Sequence, residues 1–282
     1  MLARICAAVI SIAVLPLVCS ADIIVRNNER IAFLGDSITR YGDVFSGGYV
    51  NLVMAGLEAN GVKAVKIPVG ISGNRSTHML ARVDKHVIAA KPQFMTLSCG
   101  VNDVWHGKNG VPLPEYKKNI TALVEKVQAA GIKVIILTAT MIGEDPRSAA
   151  NVKLAAYNDF LRKLAMEKSC LLADVSADMH SGIAAFKAKY PDFKGNIYTC
   201  DGVHMNPCGD AMMAENILRV LGLDEAQIAK AKSAWKNLQS NVGSVTLSAE
   251  DTARIAVLAA AEKITIQGYI SKLLREQFRQ SR

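Results

Sequence analysis

Short, uniformly apolar runs alternate along the chain with longer segments whose apolar residues recur at helical spacing. Five runs read as strands: Ile31 to Gly35, Ala64 to Val69, Phe94 to Ser98, Lys133 to Thr138 and Cys170 to Val175. A run such as "IAFL" has no polar residue to turn toward water, so it suits a parallel strand covered on both faces. Between the runs, "YVNLVMAGLEANG" closes on Gly61, "STHMLARVDKHVIAAKP" stops before Pro92, and "PEYKKNITALVEKVQAAG" opens on a proline and ends at Gly131. A further helix is expected from Ser148 to Lys168. Strands separated by helices of this length imply right-handed β-α-β connections and a three-layer α/β/α sandwich, expected over residues 22–222.

Residues 223–282 change character. "DEAQIAKAKSAWKNLQ" reads as a helix, "GSVTLS" as a short strand, and "AEDTARIAVLAAAEK" and "TIQGYISKLLREQFR" as two amphipathic helices, together a mainly helical appendage.

Half of the 282 residues are apolar, which allows one sizeable core with an appendage, or two domains, and excludes a disordered or fibrous chain. The opening stretch carries Arg4, then an apolar run of 14 residues from Ile5 to Val18, then the small residues Ser20 and Ala21. This is the layout of a secretory signal peptide over residues 1–21, and the run is shorter than the ~18 residues of a spanning helix. The mature chain is therefore expected to be exported, periplasmic or extracellular, with no integral membrane segment.

Export sets the redox context. Of six cysteines, Cys6 and Cys19 lie in the leader, leaving Cys99, Cys170, Cys200 and Cys208. Cys200 and Cys208 bracket "CDGVHMNPC", a loop that a disulfide could pin in an oxidising compartment, whereas Cys99 and Cys170 adjoin strand runs as buried thiols. No Cys or His spacing matches a metal site. The net charge of +8, or +7 without Arg4, is spread as single lysines along helices and reads as solvated surface.

The first strand run ends in Gly35-Asp36-Ser37, a turn followed by residues that cap helices. A serine hydroxyl there is chemically useful only with a base, and the base needs an orienting partner. His78, His86 and His180 fall in helical segments with no carboxylate at a telling spacing. His204 stands three residues after Asp201 in "DGVHMN", so one short turn can present carboxylate and imidazole together. Acyl transfer also needs donors for an oxyanion. "VGISGNRST" offers the Gly73 backbone N–H, and "SCGVNDVWHG" offers the Asn102 amide. Each segment alone is compatible with an ordinary turn. All of them follow strand runs at one sheet edge, where open α/β sheets bind ligands. Trp105 and His106, just past Asn102, either present aromatic faces to a sugar or anchor the loop.

These blocks resemble the SGNH hydrolase family, also called GDSL-type esterases and lipases: "GDSIT" at 35–39, "GISGN" at 70–74, "GVND" at 100–103 and "DGVH" at 201–204, in the family's order. The resemblance spans Ile31 to Leu221 and implies a flavodoxin-like fold of about five mostly parallel strands. It implies Ser37 as nucleophile, His204 as base oriented by Asp201, and an oxyanion hole formed by Gly73, Asn102 and the Ser37 N–H, with no metal or organic cofactor. Ile38-Thr39 stands where the family name has leucine after the serine, which changes no catalytic group.

The resemblance, with export, implies a serine esterase that cleaves short-chain acyl esters, acetyl above all, on carbohydrates through an acyl-serine intermediate. No apolar lid insertion separates the blocks, so acyl lipids, the substrates of a lipase or lysophospholipase, are the alternative within the enzyme class. A non-catalytic glycan-binding protein on the same scaffold is the alternative outside it. The order of elements in the appendage is similar to a ribbon-helix-helix module, which implies homodimerisation through it; export argues against nucleic acid as a partner.

Overall fold

A computed structural model of the chain describes residues 22–236, 238 and 248–280. The expected leader and all but Ser248 of the expected "GSVTLS" strand lie outside the described residues. The chain divides into two compact units after residue 242.

In the first unit, β1 (Arg30–Gly35) leads into α1 (Ser37–Val44) and α2 (Tyr49–Ala59), and β2 (Val65–Gly70) leads into α3 (Ser76–His86). β3 (Phe94–Ser98) precedes α4 (Val101–Trp105) and α5 (Leu113–Ala129), and β4 (Lys133–Leu137) precedes α6 (Ala149–Glu167). β5 (Leu171–Ala173) is followed by α7 (Val175–Lys189), α8 (Pro207–Val220) and α9 (Glu225–Trp235). The strands form one parallel sheet in the order β2-β1-β3-β4-β5. Helices flank it: α2 packs on α8 and α9, while α3 packs on α5, and α5 on α6.

Position in the sheet explains composition. β1 and β3 are central and buried from Ile31 to Gly35 and throughout Phe94–Ser98, so both read as continuous apolar runs. β2 is an edge strand and can therefore carry Pro68, opposite Phe33. Leu34 pairs with both Val69 and Leu97, which brings the carboxyl ends of three strands level. The strand order reverses direction at β1 and β3, and ligand crevices form outside the strand ends at such a point.

Three expectations are corrected. The last strand ends at Ala173, because the Asp174 side chain accepts the Ala177 N–H and starts α7. α9 belongs to the first unit rather than to the appendage: Ile228 and Ala231 are buried, and the Trp235 indole N–H donates to the Leu52 carbonyl at 2.9 Å. An amphipathic helix needs a partner for its apolar stripe, and α2 supplies it. Cys200 and Cys208 are free, exposed thiols; their loop is held instead by a Thr199–Met205 bridge and by Asn206, whose side chain caps α8. Cys99 is buried as expected, and Cys170 partly so.

The second unit pairs α10 (Ala249–Ala261) with α11 (Ile266–Gln280), capped by Ser248 and bridged from Lys272 to Glu262 at 2.6 Å. No described helix is long and apolar enough to cross a membrane.

One partly buried carboxyl joins α8 to the start of α2. Asp210 accepts the Tyr49 N–H at 2.8 Å, and the Tyr49 hydroxyl donates to Thr39 Oγ1 at 2.8 Å within α1. Burial pushes Asp210 up from 3.8 to about 7, outweighing the Tyr49 hydrogen bond. Between those values the folded protein holds a proton that the unfolded chain has released, so stability falls as pH rises through the window. Asp210→Asn keeps an acceptor for Tyr49 without the ionisation. Urea unfolding at a series of pH values should show a shallower decline for this variant than for the parent, and equal slopes would refute the assignment.

Candidate active site

Gly35 ends β1 where a Cβ would collide with the Thr39 side chain, so only glycine lets the chain turn this tightly into α1. Asp36 caps the helix by accepting the Ile38 N–H at 2.9 Å. Ser37 is then the first helical residue, so its own N–H has no intrahelical acceptor. Its Oγ lies 2.9 Å from His204 Nε2, and His204 Nδ1 lies 2.7 Å from Asp201 Oδ2. The other Asp201 oxygen accepts the N–H groups of Val203 and His204 at 3.0 and 2.8 Å. Burial pushes the Asp201 carboxyl up, but the hydrogen bonds from the His204 ring, the His204 N–H and the Val203 N–H outweigh it and leave it below the usual carboxylate value. The carboxylate stays ionised, which fixes the Nδ1 proton toward it and leaves the Nε2 lone pair facing Ser37.

The turn carrying Asp201 and His204 is held from the end of β4. The buried Glu144 carboxylate accepts the N–H groups of Ile197, Tyr198 and Thr199 at 2.6, 2.8 and 2.8 Å, and the Thr199 hydroxyl at 2.8 Å. Gly143 N–H donates to the Gly202 carbonyl at 2.7 Å.

The two predicted donors sit just past the ends of β2 and β3. Gly73 is exposed with φ +75°, a conformation that favours glycine, and a Cβ there would meet open space. Asn102 is buried on α4, its Nδ2 at 3.2 Å from both Asp36 Oδ2 and the Asn74 carbonyl. Burial pushes Asp36 up to about 6, against the pull of the Ile38 N–H and His204. The Arg82 guanidinium ties these loops together: it donates to the Gly35 carbonyl at 3.0 Å, the Val69 carbonyl at 2.8 Å and Asn74 Oδ1 at 2.7 Å. Asp103 accepts both the N–H and the hydroxyl of Ser76, at 3.0 and 2.6 Å, which joins α4 to α3.

A groove of about 540 Å³ opens alongside, lined by Gly73, Arg75, His106 and Asn109. His106 thus lines the groove, whereas Trp105, 50 % exposed with its ring 6.0 Å from that of His106, is not part of its lining. Among the described residues no cluster of His, Cys, Asp or Glu could hold a metal ion.

The structure brings Ser37, Gly73, Asn102, Asp201 and His204 to one sheet edge. Sequence reasoning missed Glu144, Arg82 and Tyr41, whose ring lies 5.0 Å from the His204 imidazole. Glu144 was findable as a carboxylate just past a strand end, and Tyr41 as the residue one helical turn beyond Ser37. Arg82 carries no local signal.

A hydroxyl, an imidazole and a carboxylate in one hydrogen-bonded line, with amide groups alongside, form a site suited to acyl transfer. The GDSL-like lipase/acylhydrolase family matches residues 33–212, and the chain belongs to that family of carboxylic-ester hydrolases. The acetylxylan esterase of Geobacillus stearothermophilus is 27 % identical over 221 residues, covering 71 % of this chain and 97 % of that protein. The crystal structure of the acetyl xylan esterase AlAXEase is similar with a TM-score of 0.61 at 30 % identity, covering 67 % of this chain and 98 % of its own. Catalytic mutants of the acetylxylan esterase Axe2 from Geobacillus stearothermophilus, with an aspartate or a serine replaced by alanine, match at 25 % identity with TM-scores of 0.62 and 0.61, over 71 % of this chain and 97 % of theirs.

Glu144→Ala leaves three backbone N–H groups without their acceptor. Hydrogen exchange should accelerate at 197–199 with the sheet amides unaffected, and esterase kcat/KM should fall at least about tenfold through loss of positioning. Protection at 197–199 equal to the parent's would refute this role.

Proposed function

We propose that this protein is an exported serine esterase that removes acetyl groups from carbohydrates. The observation that carries the reading is the Ser37–His204–Asp201 line, at 2.9 and 2.7 Å. His204 Nε2 takes the hydroxyl proton as Ser37 Oγ attacks the ester carbonyl, and the Gly73 N–H, the Asn102 amide and the Ser37 N–H receive the oxyanion. Collapse of the tetrahedral intermediate breaks the bond to the alcohol oxygen, to which His204 returns the proton. Water, deprotonated by His204, then attacks the acyl-serine and releases acetate and free Ser37. Asp201, held ionised, stabilises the imidazolium formed in each half-reaction.

The carbohydrate part rests on the relatives, which are acetylxylan esterases matched along nearly their whole length. The catalytic serine and aspartate of Axe2 support the roles of Ser37 and Asp201. Export rests on the layout of residues 1–21.

Hydrolysis of a p-nitrophenyl ester series should peak at acetate and vanish in Ser37→Ala. A long-chain optimum would move the substrate to lipids, and undiminished turnover by Ser37→Ala would refute the nucleophile. Asn102→Ala should lower kcat by about 10²- to 10³-fold with little change in KM. Only a base within reach of the hydroxyl can accept the serine proton, so His204→Ala should reduce kcat/KM to a trace of the parent's; undiminished turnover would remove His204 from the base role.

A further inference from the structure

The aromatic residues beside His204 have no part in the steps above. Tyr41 lies one turn beyond Ser37 on α1, and Phe45 one turn further at its C-cap, so both rings project from one side of the helix. The Tyr41 ring is 5.0 Å from the His204 imidazole, and the Phe45 ring is 5.8 Å from that of Tyr41. The three rings form a row leading away from the reacting serine. Tyr41 and Phe45 are 39 % and 38 % exposed, and Val44 between them is exposed as well. An apolar surface continuous with a catalytic histidine marks a binding surface.

We propose that Tyr41 and Phe45 form the subsite on which the sugar ring of the leaving alcohol stacks. The inference rests on the acetyl-saccharide reading and deepens it. His204 Nε2 must deliver a proton to the departing alkoxide, so the alcohol oxygen lies within hydrogen-bond reach of that nitrogen. The rest of the alcohol then extends past the imidazole, and Tyr41 is the ring packed against it.

The surroundings favour a pyranose over an alkyl chain. One face of a sugar ring carries mostly C–H bonds, whose partial positive charge suits the negative face of an aromatic ring. Its rim carries hydroxyls that need polar neighbours. Beyond the imidazole the row is two rings long and ends in polar groups: Asn51 donates to the Asp43 and Phe45 carbonyls at 2.6 and 2.8 Å, and Lys66 reaches both Asn51 Oδ1 at 2.6 Å and Asp43 at 2.5 Å. A fatty alcohol would need a longer apolar trough.

The test compares two acetyl esters, an acetylated xylo-oligosaccharide and ethyl acetate, on the parent, Tyr41→Ala, Phe45→Ala and Tyr41→Phe. For each alanine variant kcat/KM on the saccharide should fall about tenfold more than on ethyl acetate, with the extra loss in KM. Tyr41→Phe should retain most of the parent's saccharide activity, because the ring rather than the hydroxyl does the stacking. Equal losses on both esters would reduce Tyr41 to a support for His204 and overturn the subsite, as would undiminished saccharide turnover by both alanine variants. A parent that cleaves ethyl acetate and no acetylated saccharide would overturn the carbohydrate reading itself, and the subsite with it.

Discussion

Four loops must hold their ends within hydrogen-bond distance of one another for this site to exist, and the Arg82 guanidinium is the contact on which three of them depend. It joins the carbonyl before the Asp36-Ser37 turn, the carbonyl at the end of β2, and the side chain of Asn74 next to Gly73. The Asn74 carbonyl in turn accepts the Asn102 amide from the third loop. A level sheet edge alone would fix only where the loops begin. Charge-assisted hydrogen bonds from one planar group set their spacing, because a guanidinium cannot shift toward one partner without losing another.

The fourth loop, carrying Asp201 and His204, is held by the opposite polarity. Glu144 gathers successive backbone N–H groups, as a helix N-terminus gathers an anion, and so fixes residues just ahead of the Asp201 turn. An acceptor on one side and a donor on the other leave the Ser37–His204 bond as the contact where the two halves of the site meet. Tyr49 and Asp210 add a second tie between those halves, running from α8 to Thr39.

What the sequence disclosed follows from how local each constraint is. β1 and β3 were legible because both faces are covered, and Ser37, Gly73 and Asn102 were legible because each sits a few residues beyond a strand end, whereas Asp201 and His204 lie beyond α7 and were legible only from their own spacing. Arg82 reaches Gly35 across 47 residues and carries no local signal, while Glu144 reaches 197–199 across 53 to 55 residues, and its place after β4 marks it only as a loop carboxylate. The Asp174 cap that shortens β5 looked like strand because its flanking residues are apolar. α9 resembled the helices after it in composition, and only the face of α2 distinguishes it from them. Two cysteines around a short loop looked like a staple, yet the Thr199–Met205 bridge and the Asn206 cap already close it.

The two aspartates of the "GDS" and "DGVH" blocks show how one site keeps two carboxyls in different states. Asp36 is fully buried with few donors, and burial raises it to about 6; Asp201 has three hydrogen bonds to its charged form and lies below the usual value. As pH falls, Asp36 takes its proton while Asp201 is still charged. Asp36 is also the group that holds the Asn102 amide, at 3.2 Å, and an ionised acceptor holds it more firmly than a neutral one. Acidification therefore acts on the Asn102 contact through Asp36, while Asp201 keeps its charge. Replacing Asp36 with asparagine leaves one side-chain oxygen for the Ile38 N–H and the Asn102 amide, which Asp36 serves with two, so the variant gives up one of these contacts at every pH and loses the part of the pH dependence that Asp36 carries.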